Sequence, residues 1–370
     1  MKRFNHVKRL AAILLSAVLT IGVLSGCGRG EAGKGKEDSV KGRYIEEDVE
    51  LPLQGEEKIL NISKSEDGNL ILYSQAGGAQ VYRYEYRDGE WVQTALDWIA
   101  PLFEGKNIYL QEIWESGDGI QVALGMGEDM AAYIVRSKDG QTGEELELPY
   151  LRQEGEYGYP AITNLQIDSE GNYWMNDFYQ AKVIAVDPDS LEILQEFGTA
   201  RGFSNGQRMV IGTSEGDMAV NTEEGVFTVY GSDLKEKESF KINQEELPWI
   251  CDDGENWYLL AENGITRVKP GNETSEVIVD GSMGEMSSSL NYTGGFVTGQ
   301  KDDFYALYRQ EKAGTFSLVH YAYDAEALAV PENILRVFGL SENTTIQDAI
   351  LSFQKSHPDV KVEYTASGKE

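Results

Sequence analysis

The sequence predicts an all-β protein: a propeller-like domain of about six or seven blades, followed by the opening β-α-β of an α/β domain. Three observations lead there. A polar corner containing glycine returns about every 40–50 residues. Short strands rich in β-branched and aromatic residues flank each corner. After Pro331 the apolar period changes from that of strands to that of a helix.

The chain opens on an export signal. Lys2, Arg3, Lys8 and Arg9 make a basic start, Leu10 to Val23 form an uncharged apolar run, and Leu24-Ser25-Gly26-Cys27 follows. The run is short for a spanning helix, which needs about 20 residues. Leu-Ser-Gly-Cys resembles the lipobox of bacterial lipoproteins. That resemblance implies cleavage before Cys27, a diacylglycerol on its thiol, and a lipid anchor on the extracellular face of the cell membrane. The alternative is an ordinary signal peptide with an incidental cysteine. Residues 1–26 are thus read as a lipoprotein signal peptide and 27–44 as a flexible, lipid-anchored tether. In the tether, Gly28-x-Gly30-x-x-Gly33 and Gly28-x-x-x-x-Gly33-Lys34 imitate dinucleotide and phosphate loops. Neither has a strand before it and a helix after it, so no backbone N–H groups converge on a phosphate.

Residues 45–325 are assigned to the propeller-like domain. Its corners contain Gly68, Gly119, Gly171, Gly216, Gly254 and Gly294, the last within Thr293-Gly294-Gly295. First strands follow, such as Leu70 to Tyr73 and Trp257 to Leu260. Second strands such as Val81 to Tyr84 and Val183 to Val186 then close at Asp88-Gly89 or Asp187-Pro188-Asp189. Lone four-stranded blades cannot cover their own apolar faces, whereas a ring of them covers every face. Two stacked β-sandwiches are the alternative arrangement.

Charge and residue types narrow the chemistry. With 62 acidic against 32 basic residues the net charge is −30, which repels phosphate backbones and excludes nucleic acid as a partner. The two cysteines, Cys27 and Cys251, do not make a disulfide framework, and Cys251 beside Trp249 and Ile250 reads as a buried, inert thiol. His6, His320 and His357 are scattered, without zinc spacing. Gly212-x-Ser214-x-Gly216 matches a nucleophile elbow, but an elbow needs a helix and a strand follows here. Asp187, Asp189, Asp252 and Asp253 could offer oxygen to Ca²⁺, but EF-hand spacing is absent and solvated turn carboxylates are the favoured reading. Tyr82, Tyr84, Tyr86 and Trp91 suit packing between blades more than stacking on sugars. No catalytic residue, metal ligand or cofactor is assigned.

Residues 326–333 form a linker, and 334–370 the incomplete start of an α/β domain. Ile334 to Leu340 reads as a strand. Thr344-x-x-Gln347 reads as a capping box, and Ile346, Ala349, Ile350 and Phe353 as one helical stripe. Pro358 stops the helix, and Val360, Val362 and Tyr364 alternate as a second strand. Phe353-Gln354-Lys355-Ser356-His357-Pro358-Asp359-Val360-Lys361-Val362 resembles the first helix and second strand of the extracellular solute-binding proteins of bacterial ABC importers. Many Gram-positive members are lipid-anchored, as the lipobox implies here. The resemblance implies a non-catalytic cell-surface lipoprotein, the N-terminal portion of an importer's binding component, with a permease as partner and a sugar as solute. The family's ligand residues lie beyond this segment, so none is carried over. An extracellular propeller lyase or hydrolase acting on polysaccharide, or a surface protein-interaction module, is the rival expectation.

Overall fold

Alternating strands joined by tight polar corners dominate the computed structural model. It describes residues 41–367 except 78–79, 105, 107, 129–131, 147–161, 179, 201–207, 243–248, 270–274, 282–283, 288–290, 301, 311–314, 332 and 342. The expected export signal and the expected lipidation residue, Cys27, lie outside the described residues.

Strand β1 (Lys41–Val49) is separated in sequence from the sheet it joins. Blade one is β2 (Lys58–Lys64), β3 (Leu70–Gln75), β4 (Val81–Arg87) and β5 (Glu90–Ala95). Blade two is β6 (Ile108–Glu115), β7 (Gln121–Gly127), β8 (Ala132–Ser137) and β9 (Gly143–Leu146). Blade three is β10 (Ile162–Ile167), β11 (Tyr173–Asp177), β12 (Lys182–Val186) and β13 (Ile193–Gly198). Blade four is β14 (Val210–Gly212), β15 (Met218–Glu223), β16 (Val226–Tyr230) and β17 (Glu236–Lys241). Blade five is β18 (Trp249–Asp252), β19 (Trp257–Ala261), β20 (Gly264–Val268) and β21 (Ser275–Asp280). Blade six is β22 (Asn291–Thr298), β23 (Phe304–Gln310) and β24 (Phe316–Leu328), completed on its outer edge by β1. Every blade is antiparallel, and the ring has six blades.

The corners show why the repeat is spaced as it is. In blade one the N–H of Ser65 donates to the carbonyl of Asn69 (2.9 Å), and the Ser65 hydroxyl accepts from the Asn69 N–H (3.1 Å). Ser116, Asp168 and Thr213 do the same work in blades two to four. The fourth residue of each corner is in the left-handed region, at Gly68, Gly119, Gly171 and Gly216, where glycine carries no Cβ penalty. Blade five uses a shorter corner, Asp253 to Asn256, with Gly254 second. In blade six the corner is not at Thr293-Gly294-Gly295. Those residues lie inside β22, at a register shift. The corner runs from Gly299 to Asp303, and Asp302 takes the left-handed position with φ 63°. Aspartate tolerates that conformation, so the glycine signal vanishes at this one corner.

Six apolar clusters fill the six seams, one between each pair of neighbouring blades. The seam between blades six and one holds Ile59, Ile62, Leu72, Tyr84, Leu307 and Leu318, so the ring closes. Closure also rests on β1, which pairs with β24 from Val49↔Leu318 to Lys41↔Leu328. β1 therefore begins inside the stretch assigned to the tether, and β24 extends past residue 325. The reason is topological: an outer strand taken from the N-terminal end fastens the last blade to the first, and its short alternating pattern is not distinctive. Polar side chains staple the inner strands as well. Asn61 both donates to the Ile113 carbonyl (2.9 Å) and accepts from its N–H (3.0 Å), and Glu112 accepts from the Leu165 N–H. These residues sit at the bulges of β2 and β6, which turn their side chains to the next blade.

Beyond the ring, β25 (Asn333–Gly339) and β26 (Val360–Ala366) pair in parallel, joined by helix α1 (Thr344–Ser356). The N-cap is Asn343, whose side chain accepts from the Ile346 N–H (3.2 Å); no Thr344–Gln347 box forms, because the helix starts one residue earlier than that box requires. The buried face of α1 carries Leu351 and Gln354, while Ala349 of the expected stripe is exposed. Gln354 is drawn inward by the Val362 N–H, which it accepts at 2.7 Å. Lys355 seats the unit on blade six through Asp48 (2.8 Å) and Glu285 (2.9 Å), and Lys361 approaches Asp280 (3.6 Å). Ile334, Leu335, Phe338 and Leu340 remain exposed, Phe338 at 75% and Leu340 at 91%.

Candidate binding funnel on the propeller axis

Inner strands of all six blades end around a cavity of about 860 Å³, bordered also by the corners of blades one to four. Its walls include Ile62, Lys64, Trp114, Gln166, Arg208, Gly212, Asp252, Phe296 and Thr298. A cavity of this size accommodates a small-molecule ligand.

The funnel has a floor. Arg208, just before β14 of blade four, places its guanidinium 5.2 Å from the Trp114 ring of blade two and 5.3 Å from the Trp249 ring of blade five. Blades two and five are opposite in a ring of six, so a group touching both lies on the axis. Glu112 of blade two pairs with it at 3.2 Å, and its side chain is only 5% exposed. Burial pushes the Glu112 carboxyl up; the Arg208 charge and the Leu165 N–H pull against that. A lone buried carboxylate would cost several kcal/mol, so this arginine and acid hold one another in place. Two indole faces add cation–π attraction of about 0.5–2 kcal/mol each.

Other charges in the funnel are already engaged. Glu115 accepts from Arg83 (2.9 Å) and from the Tyr73 hydroxyl (3.3 Å). Asp252 accepts from the N–H and the hydroxyl of Ser214 (2.9 and 2.6 Å), and burial raises its pKa above the usual carboxylate value. Asp168 takes the Asn172 N–H and side-chain amide and the Trp174 indole N–H, each at 2.9 Å. Lys64 donates to the Thr298 hydroxyl at 2.6 Å.

The residues singled out in the sequence fall as follows. Ser214 sits on a strand-to-strand corner, its hydroxyl bound to Asp252, which is the geometry of a turn and not of an elbow. Asp187 is occupied by the N–H groups of Asp189 and Ser190, and Asp253 by those of Glu255 and Asn256. Among the described residues no three His, Cys, Asp or Glu side chains gather in a metal-binding arrangement. Cys251 is buried, and burial drives its thiol pKa well up. Tyr84 is buried at the seam between blades six and one, with Tyr82, Tyr86 and Trp91 packed partly buried against it. His320 stacks on Tyr305 and lies between Asp303 (2.6 Å) and Glu47 (3.4 Å), far in sequence from His357. Arg208 and its two tryptophans were not legible as a unit: they come from three blades, and no spacing rule connects them.

No protein-family model matches the chain, and no curated protein matches it. Among solved structures, virginiamycin B lyase from Staphylococcus aureus aligns over 75% of this chain and 88% of its own, at 13% identity and a TM-score of 0.44. The β-propeller domain of Cps50 (Swd1) from Myceliophteria thermophila aligns over 72% and 83%, at 13% identity and a TM-score of 0.47. YCF48 from Cyanidioschyzon merolae aligns over 75% and 98%, at 13% identity and a TM-score of 0.41. These likenesses concern the course of the chain and carry no activity with them.

Proposed function

We propose that the chain is a non-catalytic lipoprotein anchored through Cys27 on the outer face of the cell membrane, and the N-terminal portion of an ABC importer's solute-binding component for carbohydrate. One observation carries this reading: the parallel β25–α1–β26 unit, seated on blade six by Lys355, presents bare apolar residues on and just after β25, such as Phe338 and Leu340. Parallel strands are stable when both faces are covered, which suits the first unit of a larger α/β lobe. The propeller then serves as a binding or spacing module between the anchor and that lobe. The test is uptake. Cells lacking the gene should lose import of at least one labelled oligosaccharide, and the wild-type gene should restore it where Cys27→Ser does not. Unchanged uptake across the panel, with no permease recovered from detergent-solubilised membranes, sinks the reading.

The funnel favours a second reading, an extracellular enzyme acting on polysaccharide. Asp252, a funnel carboxyl held up by burial, is its candidate acid. Cleavage of any glycan by the chain, abolished by Asp252→Asn, would establish it; an inert chain against a broad panel removes it.

A further inference from the structure

We propose that the axial funnel binds a small zwitterion of short-peptide size, with its carboxylate on Arg208 and Lys64 and its ammonium end toward the acidic corners at the mouth. This concerns the propeller alone and stands whether or not the chain serves an importer.

The argument starts from the donors. A guanidinium has five N–H donors in a rigid plane. Arg208 gives one nitrogen to Glu112, lines the cavity, and keeps 21% of its side chain exposed there. The Trp114 and Trp249 rings, together with Glu112, hold the guanidinium in place before any ligand arrives. A fixed planar fork is the geometry that receives a carboxylate through two parallel hydrogen bonds. Lys64 lines the same cavity, and its partner there is the neutral Thr298 hydroxyl. Among the described residues no carboxylate oxygen lies within 4.0 Å of the Lys64 ammonium, although its charge reaches Asp252 and pulls that carboxyl down against burial.

The acids are arranged in the opposite sense. Inside the funnel, Glu115 and Asp252 are taken by Arg83 and Ser214. At the corners, Glu66, Asp118 and Glu215 border the cavity. A net charge of −30 and this acidic mouth repel a ligand that is only anionic. A ligand with one carboxylate and one ammonium meets favourable charge at both ends. The cavity, about 860 Å³, has room for two or three residues of peptide, which a single amino acid would leave largely empty.

The experiment is equilibrium dialysis of the full mature chain against a mixed tripeptide library, with retention read by mass spectrometry. The same library is then offered C-terminally amidated and, separately, N-acetylated. Trp114 and Trp249 supply a fluorescence titration for any retained peptide. Free tripeptides should be retained, and amidation should weaken binding at least tenfold. N-acetylation should weaken it severalfold. Lys64→Gln should lower affinity about tenfold with an unchanged melting temperature. Arg208→Lys, which keeps a charge beside Glu112, should lower it as much by removing the planar fork. Retention of none of the three libraries overturns the proposal. So does equal retention of acid and amide, or full affinity in both variants.

Discussion

Replacing Asp168 with alanine tests whether the recurring corners are hydrogen-bonded units or merely polar linkers. Asp168 is 4% exposed and accepts the Asn172 N–H, the Asn172 amide and the indole N–H of Trp174, each at 2.9 Å. Trp174 is fully buried, so alanine strands its N–H with no water to replace the acceptor. A stranded buried donor costs about 1–3 kcal/mol, and each turn bond about 1 kcal/mol more. We expect Asp168→Ala to destabilise by about 3–5 kcal/mol. Trp174→Phe removes the stranded donor, so Asp168→Ala should cost about 1–3 kcal/mol less in that background. The assay is urea unfolding of the four chains of the cycle, followed by both tyrosine and tryptophan fluorescence and far-UV circular dichroism, with coincident transitions required. A coupling energy below about 0.5 kcal/mol would refute the reasoning, because non-interacting sites add to within that margin.

Three further outcomes follow from the ring and its closing strand. Burial pulls the His320 imidazole down, but its bond to Asp303 and the charges of Asp303 and Glu47 outweigh this and raise its pKa above 6.5. Its contribution is therefore complete below the unfolded value near 6.5 and fades as pH rises through the folded value; the loss of urea midpoint between pH 6 and 8.5 should shrink in His320→Gln. Glu46, on the closing strand, is pushed up to about 7 by burial, against the pull of the Glu285 N–H and Lys355. Stability should fall as pH rises from about 4.5 to 7, and Glu46→Gln should be about 2 kcal/mol more stable than wild type at pH 8, read by denaturant titration at both ends of that range. A Cβ at Gly295 would lie 2.5 Å from Ile62 Cγ1 across the seam of blades six and one. Gly295→Ala should cost about 1–3 kcal/mol; Ile62→Val keeps Cγ1 and relieves only the 3.0 Å contact of Cδ1, so it should recover the smaller part of the loss in the melting temperature.

Much of the architecture was legible because it is local. Five of the six expected corners hold a left-handed glycine where the sequence places one, since no other residue takes φ near 80° as cheaply. The strands around them follow from β-branched and aromatic runs between such corners. The first residues of the corners were overlooked, although Ser65, Ser116 and Thr213 are residues whose oxygens cap a turn. The sixth corner was misplaced for a physical reason: Asp302 does glycine's work, while Gly294-Gly295 serves a bulge that lets β22 approach Ile62.

By itself the sequence determined the repeat, its all-β character and the change to a β-α-β unit after Pro331, because backbone preference and apolar period act over a few residues. Only the tertiary structure decided that six blades close the ring, that β1 fastens it, and that Arg208 lies on the axis between Trp114 and Trp249. Those facts depend on groups distant in the chain meeting in space. Side chains from blades two, four and five become one site only once every seam between them has been filled.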